Sequence, residues 1–275
     1  MKNKLNIGIC GAGFVGMAVA HGFKNQNVTL IDPKLGNSTK DLKSENYDAV
    51  FICVPTPMGP GGNIDVSIVS TVLEELKNLN TLLVLKSTVL PDIVDLFAKK
   101  YKNFVYNPEF LTELNAKYDF ENPFLHVFGG NKEYTDQLET VYTYSICKPC
   151  KVMKTTAAEA SFIKYSINSY LMMKVVFWNQ MKELTDSRGV NYSVVQEGFT
   201  TDPRVGRSHS NVPDHVTGEP YCTSNCFNKD VPAIVNMSEN SLSILREVWN
   251  VNCRGRKAYG LTNREMVQNI SYTEI

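Results

Sequence analysis

Gly11-Ala12-Gly13-Phe14-Val15-Gly16 constrains the fold of this chain more than any other stretch. It follows a short apolar run over residues 4 to 10 and opens into Val15-Gly16-Met17-Ala18-Val19-Ala20, which reads as the start of a helix. A second strand pattern, Val28-Thr29-Leu30-Ile31, ends on Asp32, about 20 residues beyond the glycines. Strand, glycine turn, helix, strand and acid is the order of a dinucleotide-binding unit. Gly11 permits the tight turn, Gly13 lets bare backbone approach a pyrophosphate, and Gly16 lets helix and strand pack closely. The helix N-terminus, with Phe14 and Val15, then faces the phosphates, and Asp32 accepts from the adenine ribose hydroxyls. An acid at that place selects NAD over NADP, a preference the nearby Lys34 softens.

The α/β rhythm continues. Asp48 to Val54 is a buried-strand pattern closed by Pro55-Thr56-Pro57, Asp65 to Leu79 reads as a helix, and Thr81 to Leu85 as a strand followed by Lys86-Ser87-Thr88. A helix over Pro91 to Tyr101 leads to the strand Phe104-Val105-Tyr106, which Asn107-Pro108-Glu109-Phe110-Leu111-Thr112-Glu113 leaves. Sheets of this kind bind ligands at the C-terminal ends of their parallel strands, so Thr56, Thr88, Glu109 and Glu113 are expected to line one crevice. From Thr155 to about Arg188 a helical pattern runs without Gly or Pro, and Gly189 is its natural stop. Lys164 and Asn168 are four apart on it and share a face, a polar wall on a largely apolar helix. Residues 190 to 225 lose periodicity, Phe227 to Val251 reads as one or two helices, and the polar stretch from Arg254 to Ile275 is expected to order only against a partner. The fold class is therefore α/β: a Rossmann-type doubly wound sheet over 1–152, followed by a long linking helix and a small all-α domain over 153–275.

Lys plus Arg and Asp plus Glu number 28 each, so no basic excess drives nucleic-acid or anionic-membrane binding. No apolar run approaches bilayer-spanning length and no leader pattern opens the chain, so a cytoplasmic location is expected. The seven cysteines are scattered and odd in number, unlike a disulfide framework. Cys147-Lys148-Pro149-Cys150 has no second pair nearby, and His209, His215, Cys222 and Cys226 match no common zinc spacing, so no metal is expected.

Cys226-Phe227-Asn228-Lys229-Asp230 places a thiol, an ammonium and a carboxylate within five residues. If a helix begins near Phe227, its dipole and Lys229 both favour the thiolate, the nucleophilic form. Asp230, one turn on, suits the positioning of water in covalent catalysis.

Taken together these stretches resemble the UDP-glucose/GDP-mannose dehydrogenase family, from residue 4 to about 235. The matching pieces are the Gly11-to-Gly16 loop, Cys53-Val54-Pro55-Thr56-Pro57, Lys86-Ser87-Thr88-Val89, Asn107-Pro108-Glu109-Phe110-Leu111, Glu159 through Lys164 to Asn168, Asp202-Pro203-Arg204-Val205-Gly206, and Cys226 to Asp230. The resemblance implies oxidation of a nucleotide-sugar primary alcohol, UDP-glucose first among the substrates, to the carboxylate with two NAD. It implies Cys226 as the nucleophile, Lys164 and Asn168 as oxyanion partners, Asp230 with Thr88 as the water-handling pair, and Glu109 in thioester hydrolysis. It further implies Phe110, Leu111 and Arg204 on the substrate, Glu113 and Lys229 toward the cofactor, and a homodimer in which Arg204 acts in trans. The chain departs from the family in two ways. It is expected to lack the C-terminal nucleotide-binding domain. Tyr221-Cys222-Thr223-Ser224-Asn225 stands where the family has Gly-Phe-Gly-Gly, so positive φ there becomes costly. Two other readings share the pattern: a short 3-hydroxyacid-type dehydrogenase with a single hydride transfer, and a non-catalytic NAD-binding remnant of the family.

Overall fold

A computed structural model describes residues 4–42 and 46–275; Met1 to Asn3, at the head of the run read into the first strand, lie outside the described residues. The chain divides into two compact units, one of residues 1–56 and 65–164, the other of 57–64 and 165–275.

The first unit alternates β1 (Asn6–Cys10), α1 (Phe14–Gly22), β2 (Asn27–Ile31), β3 (Ala49–Ile52), α2 (Ser67–Leu76), β4 (Leu82–Leu85), α3 (Pro91–Lys100), β5 (Phe104–Tyr106), α4 (Ala116–Glu121), β6 (Leu125–Gly130), α5 (Lys132–Tyr142) and β7 (Lys151–Thr155). The central strands β3, β4 and β5 are short, apolar and fully buried because both faces are covered. Val50, Ile52, Leu83 and Leu85 point to a core completed by Val69, Leu73 and Leu76 of α2 and Val94 and Phe97 of α3. Their neighbours Ala49, Phe51, Leu82 and Val84, with Ile7 and Ile9, point to the opposite core, closed by Ala18 and Val19 of α1 and Leu138 and Val141 of α5. This period-two alternation with helices on both faces is the doubly wound fold.

The sheet order is β2-β1-β3-β4-β5-β6-β7. Strands are added to one side of β1 first and then, from β3 on, to the other, all parallel through β5, so the loops leaving β1 and β3 flank the topological switch point. Two features differ from the sequence reading. The sheet is not parallel throughout: β5 pairs antiparallel with β6, while β6 and β7 pair parallel, so the last two strands run against the rest. The helix α4 also falls in a stretch with no helical reading. It is one and a half turns long and buries only Phe120, too short to register as a 3.6-residue period.

The helix α6 (Ala157–Ser187) is 31 residues long and enters the second unit at Tyr165. It is followed by α7 (Tyr192–Thr200), α8 (Phe227–Met237), α9 (Ser243–Arg256) and α10 (Asn263–Val267). Met172, Val176, Val231, Val235, Trp249, Cys253 and Ile270 form the core of this unit, joined by Met58 from the excursion 57–64. The helix α7 corrects the expectation of irregular chain after residue 190. Asn191 caps it by accepting from the Ser193 N–H, and Trp178 holds it through edge-on contacts with Tyr192 and Phe199. The stretch 254–275 is a second correction. It packs on its own unit: Trp249 Nε1 donates to Thr273 O at 2.9 Å, Met58 N to Gln268 O at 2.9 Å, and Asn250 exchanges two bonds with Ile275. Two of its polar residues, Arg256 and Glu265, are fully buried and bonded to each other, within a stretch that composition alone reads as a solvated tail.

Candidate functional site

Packing dictates the glycine loop at the end of β1. Gly11 has φ +98°, and a Cβ there would lie 2.5 Å from Cys53 O; a Cβ on Gly16 would lie 1.8 Å from Gly11 O. Gly13 is different in kind. A Cβ there would meet nothing of the protein within 4 Å, so bare backbone faces open space at the N-terminus of α1. That is the cradle a pyrophosphate requires. Asp32, past the end of β2, accepts from Ala12 N at 2.8 Å and Lys34 N at 2.9 Å. The Ala12 amide first, then that of Lys34, holds its carboxyl below the usual range. An ionised acid is thus fixed to the loop, where a ribose would be recognised, and the residues present fit a dinucleotide. Phe14 is exposed and Val15 half-buried beside them, while Thr56 after β3 and Thr88 after β4 are buried.

A second cluster lies in the loops after β4 and β5. Lys164, only 3% exposed, donates to Glu109 O at 2.6 Å and to Glu109 Oε1 at 3.0 Å. The other carboxylate oxygen accepts from Leu111 N at 2.6 Å. Burial pushes the Glu109 carboxyl up, but the Lys164 charge, these bonds and the Lys86 charge outweigh it, and the group is held below its usual range. The Lys164 ammonium lies 5.6 Å from the Phe110 ring centroid. Glu113 does not share this environment. No helix crosses 107–115, so its i+4 relation to Glu109 carries no common face, and it lies exposed in a turn.

Sequence reading gives no role to Lys86, whose buried ammonium donates to Asn107 Oδ1 at 3.1 Å. Burial depresses it to about 8, opposed by the attraction of Cys53 and Glu109. Below pH 8 this lysine is charged in both folded and unfolded chains, and folding carries the full cost of burying it. Between pH 8 and 10.5 the folded chain loses the proton first, so this cost is relieved as pH rises. The depression corresponds to about 3 kcal/mol as an upper bound. Lys86→Met is expected to raise the melting temperature at pH 7, with the gain shrinking toward pH 10.5. Differential scanning calorimetry across that range checks it, and a variant melting lower at pH 7 would contradict it.

The second unit holds the thiol. Cys226 immediately precedes α8, and the Ser224 hydroxyl accepts from Cys226 N at 3.2 Å and Phe227 N at 3.4 Å. One turn on, Asp230 is fully buried. Its Oδ1 accepts from Lys229 Nζ at 2.6 Å and its Oδ2 from Asn168 Nδ2 at 2.7 Å. The ammonium read beside the thiol is therefore bonded to Asp230. A buried carboxylate held by one cation and one amide is compensated and oriented.

The loop before the thiol accommodates its side chains. Tyr221 sits at φ +61°, a left-handed conformation costly for a tyrosine. Asn179 Oδ1 accepts from its N–H at 2.7 Å, its hydroxyl reaches Glu183 at 2.6 Å, and its ring lies against Gly255, where a Cβ would come within 2.3 Å. Cys222 is buried, and desolvation pushes its thiol up to about 12. No disulfide joins any cysteines among the described residues. His209, also at positive φ, packs its ring 5.6 Å from Phe227. Arg204 is largely exposed, with its guanidinium on Asp202 at 2.5 Å. The pins on the loop, Asn179 and Ser224, lack a sequence signal because amides and hydroxyls in helices and loops are common.

The model of the UDP-glucose/GDP-mannose dehydrogenase family, NAD binding domain, matches residues 31–146, and that family's central domain matches residues 158–254. Among curated proteins, the chain is 31% identical over 295 residues to the UDP-glucose 6-dehydrogenase of Rickettsia prowazekii, covering 90% of this chain and 67% of that protein. It is 28% identical over 310 residues to that of Rickettsia felis, covering 97% of this chain and 66% of that protein. The chain thus spans about two thirds of the length of these curated relatives. In fold it is similar to a UDP-glucose dehydrogenase from Pyrobaculum islandicum, with TM-score 0.75, 24% identity, and 91% of this chain and 68% of that one covered. It is also similar to the Mycobacterium tuberculosis 3-hydroxyisobutyrate dehydrogenase, with TM-score 0.71, 13% identity, and 97% and 98% covered. The glycine cradle, the buried Lys164–Glu109 pair, the thiol at the start of α8 and the two matching domains agree, and the chain belongs to the UDP-glucose/GDP-mannose dehydrogenase family.

Proposed function

We propose that the chain oxidises the primary alcohol of a nucleotide sugar to the carboxylate, UDP-glucose to UDP-glucuronate, with Cys226 as nucleophile. The observation that carries this reading is the thiol at the N-terminus of α8, one turn before a buried carboxylate already oriented by Lys229 and Asn168. A helix N-terminus favours a thiolate. Gly11, Gly13, Phe14, Val15, Gly16, Asp32 and Thr56 hold the cofactor. Bound there, NAD would supply the hydride acceptor for each of the two oxidations. Between them, the Cys226 thiolate adds to the aldehyde carbon and a thiohemiacetal forms; loss of hydride from that carbon leaves a thioester. Lys164 and Asn168 stabilise the oxyanion at each stage, as preorganised donors in a dry site do. Asp230, with Thr88, orients the water that breaks the C–S bond, returning the thiol and releasing the carboxylate. Glu109 serves the same hydrolysis, and Phe110 and Leu111 follow it on the loop that meets the sugar.

The division of labour is a cofactor half over 1–152 and a helical half over 153–275. The helical half pairs with a second copy, and Arg204 reaches the partner's substrate. In support, Tyr170, Phe177 and Leu184 recur every seven residues on α6 and are all exposed, the pattern of a helix–helix seam. No helix among the described residues is long and apolar enough to cross a membrane; we place the reaction in the cytoplasm.

Purified protein given UDP-glucose and NAD is expected to yield two NADH per sugar consumed. One NADH per substrate would favour the 3-hydroxyacid-type reading. Tight NAD binding with no turnover on any nucleotide sugar would favour a non-catalytic family member.

A further inference from the structure

A buried polar cluster in the second unit ties the end of the chain to the loop carrying the thiol. Arg256 on α9 is fully buried. Its Nη1 donates to Pro220 O at 3.2 Å and Glu219 Oε2 at 3.3 Å, and its Nη2 donates to Gly260 O at 2.9 Å and Glu265 Oε2 at 3.4 Å. Glu265, also fully buried, closes a capping box with Thr262 at the start of α10. Its other oxygen takes the Tyr272 hydroxyl. That hydroxyl accepts from Asn228 Nδ2 at 2.9 Å and lies 3.1 Å from Cys222 O. Asn228 Nδ2 also donates to Cys222 O at 2.9 Å. Asn252 completes the cage, accepting from Cys222 N at 2.8 Å and donating to Asn228 Oδ1 at 3.2 Å.

These bonds converge on one point. Cys222 and Asn228 bracket Cys226, four residues before it and two after. The left-handed Tyr221 stands just before Cys222, and between Cys222 and Asn228 the chain enters the first turn of α8. Backbone strain of this kind persists only where the surroundings over-determine it. Here the surroundings include the last residues of the chain. Burial first, then Glu265, drives the Tyr272 hydroxyl well above its ordinary range, so it is a neutral donor at every working pH. Glu265 and Tyr272 both lie beyond residue 254, where the central-domain match ends.

We propose that Tyr272, anchored by Glu265 and Arg256, is a positioning residue that fixes Asn228 and the Cys222 carbonyl and through them the Cys226 thiol. The 262–275 segment is then a strap that completes the nucleophile loop. This rests on the reading of Cys226 as nucleophile, so its test begins without substrate.

Tyr272→Phe removes the hydroxyl and keeps the ring on Trp249, 5.9 Å away. Ile270→Ala is the control: it cuts a buried side chain of the same segment outside the polar cluster. Amide exchange of residues 218–230 and the rate of Cys226 alkylation by iodoacetamide are measured for both by mass spectrometry, alongside melting temperature. In Tyr272→Phe, exchange over 222–228 is expected to accelerate about tenfold or more, with a severalfold change in Cys226 alkylation. Ile270→Ala is expected to melt lower and leave both local readouts near wild type. With UDP-glucose, Tyr272→Phe should lose about tenfold in kcat with KM little changed, as expected when a reacting group is misplaced. If Tyr272→Phe does not fold, Asn228→Ala with the strap intact is read in the same way. Equal loop exchange in the two variants at matched stability, or unchanged exchange and alkylation in Tyr272→Phe, would overturn the proposal. If the loop and thiol respond while wild-type protein turns over no nucleotide sugar, the proposed substrate falls and the positioning role stands.

Discussion

Cys226→Ser is expected to lower carboxylate formation by about 10³-fold or more, the scale seen when a covalent nucleophile is removed from an otherwise intact site. The substitution is nearly isosteric. The bonds that shape the loop, from Cys226 N and Phe227 N to the Ser224 hydroxyl, involve backbone and not the thiol. Stability should therefore stay within about 0.5 kcal/mol of wild type, as for a near-isosteric change at a half-buried position. What changes is the nucleophile, because a serine hydroxyl at a helix N-terminus remains protonated where a thiol yields its thiolate. The measurement is carboxylate release by chromatography in single-turnover mixtures, with NADH followed in parallel. Carboxylate released at the wild-type rate would remove Cys226 from the mechanism. The other cysteines supply the contrast. Cys10, Cys53 and Cys222 are pushed up to about 12 by burial, so alkylation of the native protein should reach Cys226 well before them.

The residues differ in how far the sequence alone disclosed them, for a physical reason. The glycine loop was legible because each glycine answers a distinct constraint: a positive φ at Gly11, a close approach at Gly16, and open space at Gly13. The strands were legible because double-sided burial leaves an unbroken apolar run. The start of α8 was legible from its thiol and charges, and the stop of α6 from Gly189 at φ +65°. Local chemistry writes all of these. Contacts across long sequence distances do not appear in that way. The Lys86–Asn107 bond spans 21 residues and the Tyr272–Asn228 bond 44. Neither leaves a spacing to read, and Arg256, Glu265 and Tyr272 look like an ordinary polar tail until the fold buries the first two and half-buries the third. The short helices α4 and α7 escaped for a related reason: at 6 and 9 residues they are too brief for a helical period to stand out, and partners distant in sequence hold them.

Lys164→Met should give the largest loss of stability. It removes the bonds at 2.6 and 3.0 Å to Glu109 and leaves a carboxylate buried at 6% exposure. Breaking one side of a buried ion pair costs about 3–5 kcal/mol, because the remaining charge has no compensation. The pH dependence follows from the sign of the Glu109 shift. In the wild type its carboxyl is held below the usual range, so the pair contributes stability at pH values above that of an unfolded glutamate. The contribution fades as pH falls through the folded value. In Lys164→Met the burial that already raises this group loses its chief opponent, and Glu109 takes up a proton at higher pH. The deficit should therefore be greatest near neutrality and shrink in acid. Lys164→Met combined with Glu109→Gln removes the stranded charge and should recover much of the melting temperature. Turnover should not recover with it, since the oxyanion has lost its fixed cation and hydrolysis has lost Glu109, a loss of about 10²–10³-fold or more in kcat. Calorimetry from pH 4 to 8 and steady-state kinetics on both variants separate the two effects. A single variant that melts like the wild type at pH 7, or a double variant that regains full turnover, would show that Lys164 is packing and not part of the reaction centre.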